Sequence, residues 1–260
     1  MASAVTAPRV ELHAVPGLPR LHEGDDLVRL TLAGIDGAGI GLRNGDVIVF
    51  AQKVVSKVEG RRIDLARVTA SPRAIDLAAQ VRKDPRLVEL ILSESVRVVR
   101  ACPDVLIVEH RLGFVMANAG VDQSNVADAA DGEFALLLPL DPDASAARLR
   151  AEFGRIAGVD VGVLISDSFG RPWRYGAVGV AIGCAGLAAL RDLRGQPDLF
   201  GRTLRVTEVA QADEIASAAS MLMGQGAEGL PVVVVRGLPA GGEPGPARAL
   251  VRPASEDLFR

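Results

Sequence analysis

Four short apolar runs constrain this chain more than any other feature: VIVFA at 47–51, VGVLI within 159–166, the stretch 178–184, and VVVV at 232–235. They are continuous rather than alternating, the pattern of strands covered on both faces. None approaches the roughly 18 to 20 residues with which an apolar helix crosses a bilayer.

Between them lie helix signals. Asp25 opens a helix toward Leu32, with a glycine-rich connection from Gly34 to Gly41. Ser71-Pro72 offers a capping hydroxyl with proline at the first helical position, and a further helix spans Pro85 to about Glu94. Asp141-Pro142-Asp143 starts a helix to about Ala157, and another runs from about Asp213 to Met223. Residues 9–15 read as a strand stopped by Pro16-Gly17. From Val96 the texture changes: VRVVR, VLIVEH and FVMANAG, separated by turns, predict an antiparallel meander. The whole predicts an α+β fold with mixed, largely antiparallel sheets and flanking helices. Residues 1–240 read as one module with room for two intertwined subdomains, and 241–260, opening with the end of PAGGEPGPAR, as a flexible linker and C-terminal tail.

With 260 residues and 49% of them hydrophobic, the chain can bury a core that needs no disulfide or structural metal. A net charge of -3 with scattered basic residues excludes a nucleic-acid or anionic-lipid footprint. Cys102 and Cys184 stand far apart, and MASAVTAPRV lacks the pattern of a signal peptide, so a cytoplasmic protein is expected.

The 29 basic residues comprise 26 arginines and only three lysines, Lys53, Lys57 and Lys83. A lysine kept in so arginine-rich a chain points to a use for a compact ammonium on a flexible stem. Two of them fall in Gln52-Lys53-Val54-Val55-Ser56-Lys57, leaving the strand 47–51. That placement suits phosphate binding; a solvated strand end is the evenly weighted alternative.

Asn118 to Asn125 presents Asp122, amides and a hydroxyl, donors that suit Mg²⁺ or Mn²⁺, although taken alone the motif reads as an Asx turn rather than a site. Ser166-Asp167-Ser168 follows VGVLI, and two strand-end aspartates suggest a divalent site. Arg171 and Arg174 could bind a carboxylate or phosphate, unless they merely pack a core Trp173. The glycines of Met223 to Gly229 permit close approach to a ligand, or cap a helix. His13, His22 and His110 have no acid-base partner nearby in sequence and read as structural or exposed. No GxxxxGK[ST] phosphate loop occurs.

Taken together, VPGLP (15–19), GDVIVFAQKVVSKVEGR (45–61), NAGVDQSN (118–125), LLLPLDPDASA (136–146), SDSFGRPWRYGAVGVAIGCAG (166–186) and ADEIASAASMLMGQGAEGLPVVVVRG (212–237) resemble the coenzyme F(420)-0:L-glutamate ligases, the coenzyme F(420) gamma-glutamyl ligase family. The resemblance implies a GTP-dependent homodimeric enzyme that adds L-glutamate through gamma-linked amides to F(420)-0, using Mg²⁺ or Mn²⁺ at two sites with K⁺ stimulating. It places Leu18, Pro19, Arg20, Leu21, Gln52, Lys53, Lys57, Asn125 and Met223, Gly224, Gln225, Gly226, Ala227, Glu228, Gly229 and Leu230 at GTP. Asp122 and Asp167 would hold the first metal, Ser168 and Gln225 the second, with Lys57, Asp122 and Asp167 carrying the chemistry. Departures from the archaeal pattern are Lys53 where a hydroxyl residue is common, Ser168 for threonine, and Gln225 for a carboxylate. A metal-dependent phosphatase or nucleotidase, and a non-enzymatic guanine-nucleotide sensor, are the competing readings.

Overall fold

In a computed structural model, residues 7–126, 132–239 and 241–257 are described. Residues 1–6 of the segment read for a leader, and 258–260 of the tail, lie outside them. The central sheet has five strands in the order β1 (Glu11–Ala14), β12 (Val232–Arg236), β2 (Val47–Ala51), β8 (Gly162–Arg171) and β9 (Arg174–Ala185). Only β2 and β8 run parallel; the other neighbours are antiparallel.

All four apolar runs lie in this sheet, and their side chains divide between its faces. Val47, Val49, Leu164, Val233 and Val235 pack beneath Ala212, Ile215, Ala216 and Ala219 of α6 (Gln211–Met223). Ile48, Phe50, Val163, Ile165, Val232 and Val234 meet α1 (Leu27–Gly37) and α5 (Pro142–Ala157) on the other face. Each such side chain, fully buried, contributes about 1.5–3 kcal/mol relative to exposure, so this double cover drives the architecture. In β9 a register shift opposite Ile165 and Ser166 inserts Ile182. The bulge lets both helices approach closely on opposite faces: a Cβ on Gly179 would meet the Ala216 carbonyl oxygen at 2.3 Å, and one on Gly183 the Pro142 oxygen at 2.3 Å.

A second core lies wholly within residues 63–137. It is built from the strand pair β3 (Arg62–Asp64) and β7 (Phe134–Leu136), helices α3 (Pro72–Val81) and α4 (Pro85–Ser93), and the meander β4 (Ser95–Cys102), β5 (Val105–His110), β6 (Val115–Ala117). Ser71 and Asp84 cap the two helices, each with proline at the start. Glu94 is buried and takes ion pairs from Arg61 and Arg111, both at 3.0 Å. His110 is fully buried; its Nδ1 accepts from the Leu112 N–H, so Nε2 carries the proton and points at Glu94 from 3.5 Å.

Two local expectations change. The first helix continues past Leu32 to Gly37, because Gly34 is spent on packing: a Cβ there would strike Val15 and the Pro16 carbonyl at 2.7 and 2.8 Å. Where the sequence reads as linker, the described tail lies against the body with Ala247 fully buried. Asp143 fastens it, accepting from the N–H groups of Ala247 and Arg248 as well as that of Cys184 in β9. Both cysteines are unbonded, and burial, reinforced by the Asp143 charge, pushes the Cys184 thiol up to about 12. Among the described residues no helix is long and apolar enough to cross a membrane.

Candidate active site

A cleft of about 580 Å³ opens between the sheet and the second core. Its floor comes from α2 (Gln52–Val58), which begins where β2 stops. The segment expected as a strand end is thus helical, and the helix explains the spacing of its polar residues. Gln52 and Ser56, four apart, face inward and bond to each other at 2.8 Å, while Lys53 and Lys57 share the neighbouring face and enter the cleft. Lys57 is half-buried and donates to the Asn125 carbonyl oxygen at 2.7 Å. Burial lowers its pKa, and the charges of Lys53, Arg62 and Arg20 lower it further. Four cations therefore converge on one opening, which favours a polyanionic ligand.

Neither aspartate sits at a strand end. Asp122 follows a turn in which Asn118 and Ala119 both adopt left-handed φ values, 54° and 53°, backbone strain of the kind that gathers at functional positions. Its backbone bridges Leu136, and its carboxylate makes an Asx turn, accepting the Ser124 N–H at 2.7 Å. The same carboxylate binds Lys53 at 2.6 Å. Burial alone would raise its pKa, but the hydrogen bonds from Lys53 and Ser124 and the Lys53 charge bring it below the ordinary value.

Asp167 lies in mid-strand, since β8 continues to Arg171 by pairing with β9, Asp167 opposite Val180. Two places beyond Ile165, it shares that residue's face. Phe169, two further on, holds that face against Phe114 of the second core, ring centroids 5.7 Å apart. Burial pushes the Asp167 carboxyl up to about 7; the Ser168 N–H and the Lys53 charge oppose this, and the Asp122 charge adds to it. A carboxylate left this short of compensation suits a hard cation, so Asp167 could hold a divalent metal, whereas Asp122 is already compensated by Lys53. Ser168 and Gln225 also line the cleft, as hydroxyl and amide donors.

The far wall is the exit of α6, where Gly224 takes φ 71°. Residues 224–229 read Gly-x-Gly-x-x-Gly, but between a helix and a strand, the reverse of the order in dinucleotide-binding folds. Met223, Gly224, Gln225, Gly226, Ala227, Gly229 and Leu230 line the cleft; Glu228 does not. Its carboxylate turns back to accept the Gly226 N–H at 2.8 Å, and the loop's own N–H groups lower its pKa. Asn125, at φ 57°, donates from Nδ2 to the Gly226 oxygen at 3.3 Å, tying the two walls together. Leu18, Pro19, Arg20 and Leu21 complete the rim.

Of the residues expected at the site, the lining thus gathers all but Asp122, which reaches it through Lys53, and Glu228. Sequence reasoning missed Arg62 and His22. Arg62 stacks over the Phe134 ring at 4.5 Å and faces the cleft from β3. One arginine among 26 gave no signal; its place directly after the GDVIVFAQKVVSKVEGR block was the only one available. Arg171 and Arg174 do not line the cleft but flank the β8–β9 hairpin tip, with Arg171 donating to the Tyr175 oxygen. Trp173 there is 82% exposed, so it is no core anchor.

A sheet-end cleft with converging cations, the Asp167 carboxylate and a glycine-rich backbone wall has the character of a site for an anionic substrate. Residues 17–237 match the family described as F420-0:Gamma-glutamyl ligase. The chain is 46% identical to the coenzyme F420:L-glutamate ligase of Methanothermobacter thermautotrophicus, covering 96% of this chain and 99% of that protein. It is 46% identical to the ligase of the same name from Methanopyrus kandleri, over 97% and 98% of the two chains. The Archaeoglobus fulgidus counterpart is 43% identical over 97% of each. The chain belongs to the F420-0:gamma-glutamyl ligase family.

Proposed function

We propose that this protein is a GTP-dependent ligase of coenzyme F(420) biosynthesis, joining L-glutamate to F(420)-0 through gamma-linked amide bonds. The observation that carries the reading is the convergence, from segments far apart in sequence, of Lys53, Lys57, Arg62, Asn125 and Asp167 on one cleft walled by the 223–230 loop.

A carboxylate is a poor acylating agent. Transfer of the γ-phosphoryl group of GTP to the acceptor carboxylate breaks the bond to the β-phosphate, releases GDP and leaves an acyl phosphate. The glutamate amine attacks the acyl carbon, phosphate departs, and the amine proton is lost to solvent. Lys57 and Arg62 bind and orient the phosphates and offset the charge that develops on the transferring group. Asp167, with Asp122, Ser168 and Gln225 near, would hold Mg²⁺ or Mn²⁺, which would supply further charge neutralisation when bound, and K⁺ is expected to stimulate.

The protein acts as a homodimer in this reading. Trp173 and Tyr175 at the hairpin tip, Leu199, Phe200 and Val206 on the arm between β10 (Arg191–Asp192) and β11 (Glu208–Val209), and Met221 on α6 are large apolar side chains exposed on the surface. A second copy would cover them.

Incubation with F(420)-0, GTP, Mn²⁺ and L-glutamate, followed by mass spectrometry, tests the reading. Glutamylated product with stoichiometric GDP and phosphate supports it. GTP loss independent of glutamate would instead indicate a phosphatase, and binding without turnover a sensor.

A further inference from the structure

The contacts of Lys53 divide the site in a way that its role as a nucleotide contact does not explain. Its ammonium lies 2.6 Å from Asp122 Oδ2, 2.7 Å from Ser124 Oγ and 3.2 Å from the Ser124 carbonyl oxygen. An ammonium has three N–H donors, and here a carboxylate, a hydroxyl and a carbonyl take them. This is the oxygen set that a hard metal cation collects. We propose that the Lys53 ammonium is a tethered cation occupying the Asp122 side of the site, so that this chain binds one divalent metal, at Asp167, where its family resemblance implies two. The inference rests on the metal-assisted reading of the cleft given above.

Charge supports the assignment. Asp167 lines the cleft and Asp122 lies near enough for its charge to act on it, and Lys53 acts on both, by contact with Asp122 and through space on Asp167. Glu228 is withdrawn into its own loop, and position 225 carries an amide. Among the described residues no group of three or more His, Cys, Asp or Glu is arranged to hold a metal. Two carboxylates and an ammonium sum to one negative charge, which a single divalent ion reverses. A second ion would add two more positive charges beside Lys57 and Arg62, in a partly desolvated cleft where such repulsion is weakly screened. An ammonium at 53 and an uncharged side chain at 225 both act against a second ion, and they come to the cleft from different elements, α2 and the loop after α6. Asp167, whose described hydrogen bond comes only from its neighbour Ser168, keeps its outer lone pairs available.

Equilibrium Mn²⁺ binding, followed by the electron paramagnetic resonance signal of free Mn²⁺, tests this without any turnover. Wild type should bind one Mn²⁺ per chain, and Lys53→Arg, which keeps the charge, should also bind one. Lys53→Ser combined with Gln225→Glu should bind two, with the folded far-ultraviolet dichroism of each protein verified. Two Mn²⁺ of similar affinity in the wild type, or one in the folded double variant, would overturn the tethered-cation assignment while leaving a metal-assisted cleft intact. No bound Mn²⁺ in any of these proteins would overturn that broader reading as well.

Discussion

Replacing Lys57 by methionine keeps most of its stem and removes the ammonium. In the free protein that ammonium donates to the Asn125 carbonyl at 2.7 Å and is held against the charges of Lys53, Arg62 and Arg20. The lost hydrogen bond costs about 1 kcal/mol of stability, and the relieved burial and repulsion act in the opposite direction, so the unfolding midpoint should move little. Nucleotide binding should respond strongly. A hydrogen bond to a charged group is worth about 1.5–3 kcal/mol, which weakens the Kd by roughly 10- to 150-fold. Protonation gives a second signature. The folded pKa lies below the ordinary 10.5, so between those two values the native state binds fewer protons than the unfolded chain. Stability therefore rises with pH across that window, and the variant should lack the rise. Calorimetric titration of GTP into both proteins, with matched urea unfolding, measures the two effects. Unchanged affinity in the folded variant would refute the argument and reduce Lys57 to a structural contact.

Glu94 should govern acid stability. Burial would raise its pKa, but the His110 ring nitrogen 3.5 Å away and the Arg61 and Arg111 charges hold it at about 2, below its ordinary 4.5. Its contribution, about 3 kcal/mol, is complete above pH 4.5 and disappears as pH falls toward 2; Glu94→Gln should flatten a plot of urea midpoint against pH there. Asp167 acts with the opposite sign: raised from 3.8 to about 7, it makes stability fall as pH rises between those values. Asp167→Asn should remove that fall in thermal unfolding while abolishing ligation. Gly179→Ala should cost about 1–3 kcal/mol in chemical denaturation, because its methyl must displace the Ala216 carbonyl of α6.

Much of the fold was legible because local chemistry and tertiary role agree. The strands VIVFA and VVVV are apolar on both faces because helices cover both, and Ser71, Asp84 and Asp141 cap the helices they precede. Misreadings arose where tertiary context overrode a local rule. Gly34 breaks the helical pattern in sequence yet is needed inside α1 for contact with Val15 and Pro16. The polar stretch after Ile165 looks like an end, but β9 pairs along all of it. In the site, residue types pointed to Lys53, Lys57, Asp122 and Asp167. The contact of Lys53 with Asp122 depends on residues 69 positions apart and left no local trace.

The chain enters the second core at Arg61 and leaves it at Leu137, and those residues share a backbone hydrogen bond of 3.1 Å. Arg61 reaches onward to the Leu138 oxygen at 2.8 Å. Ends this close make the intervening stretch a graft: a short turn would rejoin the host, which would lose from its main core little beyond Met116 and its neighbour Phe114. The graft nevertheless carries Asp122, Asn125 and Arg62, while the host carries Lys53, Lys57 and Asp167. Each piece thus holds half a site, and any ligand that fills the cleft staples one to the other. Amide exchange should accordingly slow on nucleotide binding throughout the meander, in strands that the nucleotide never touches.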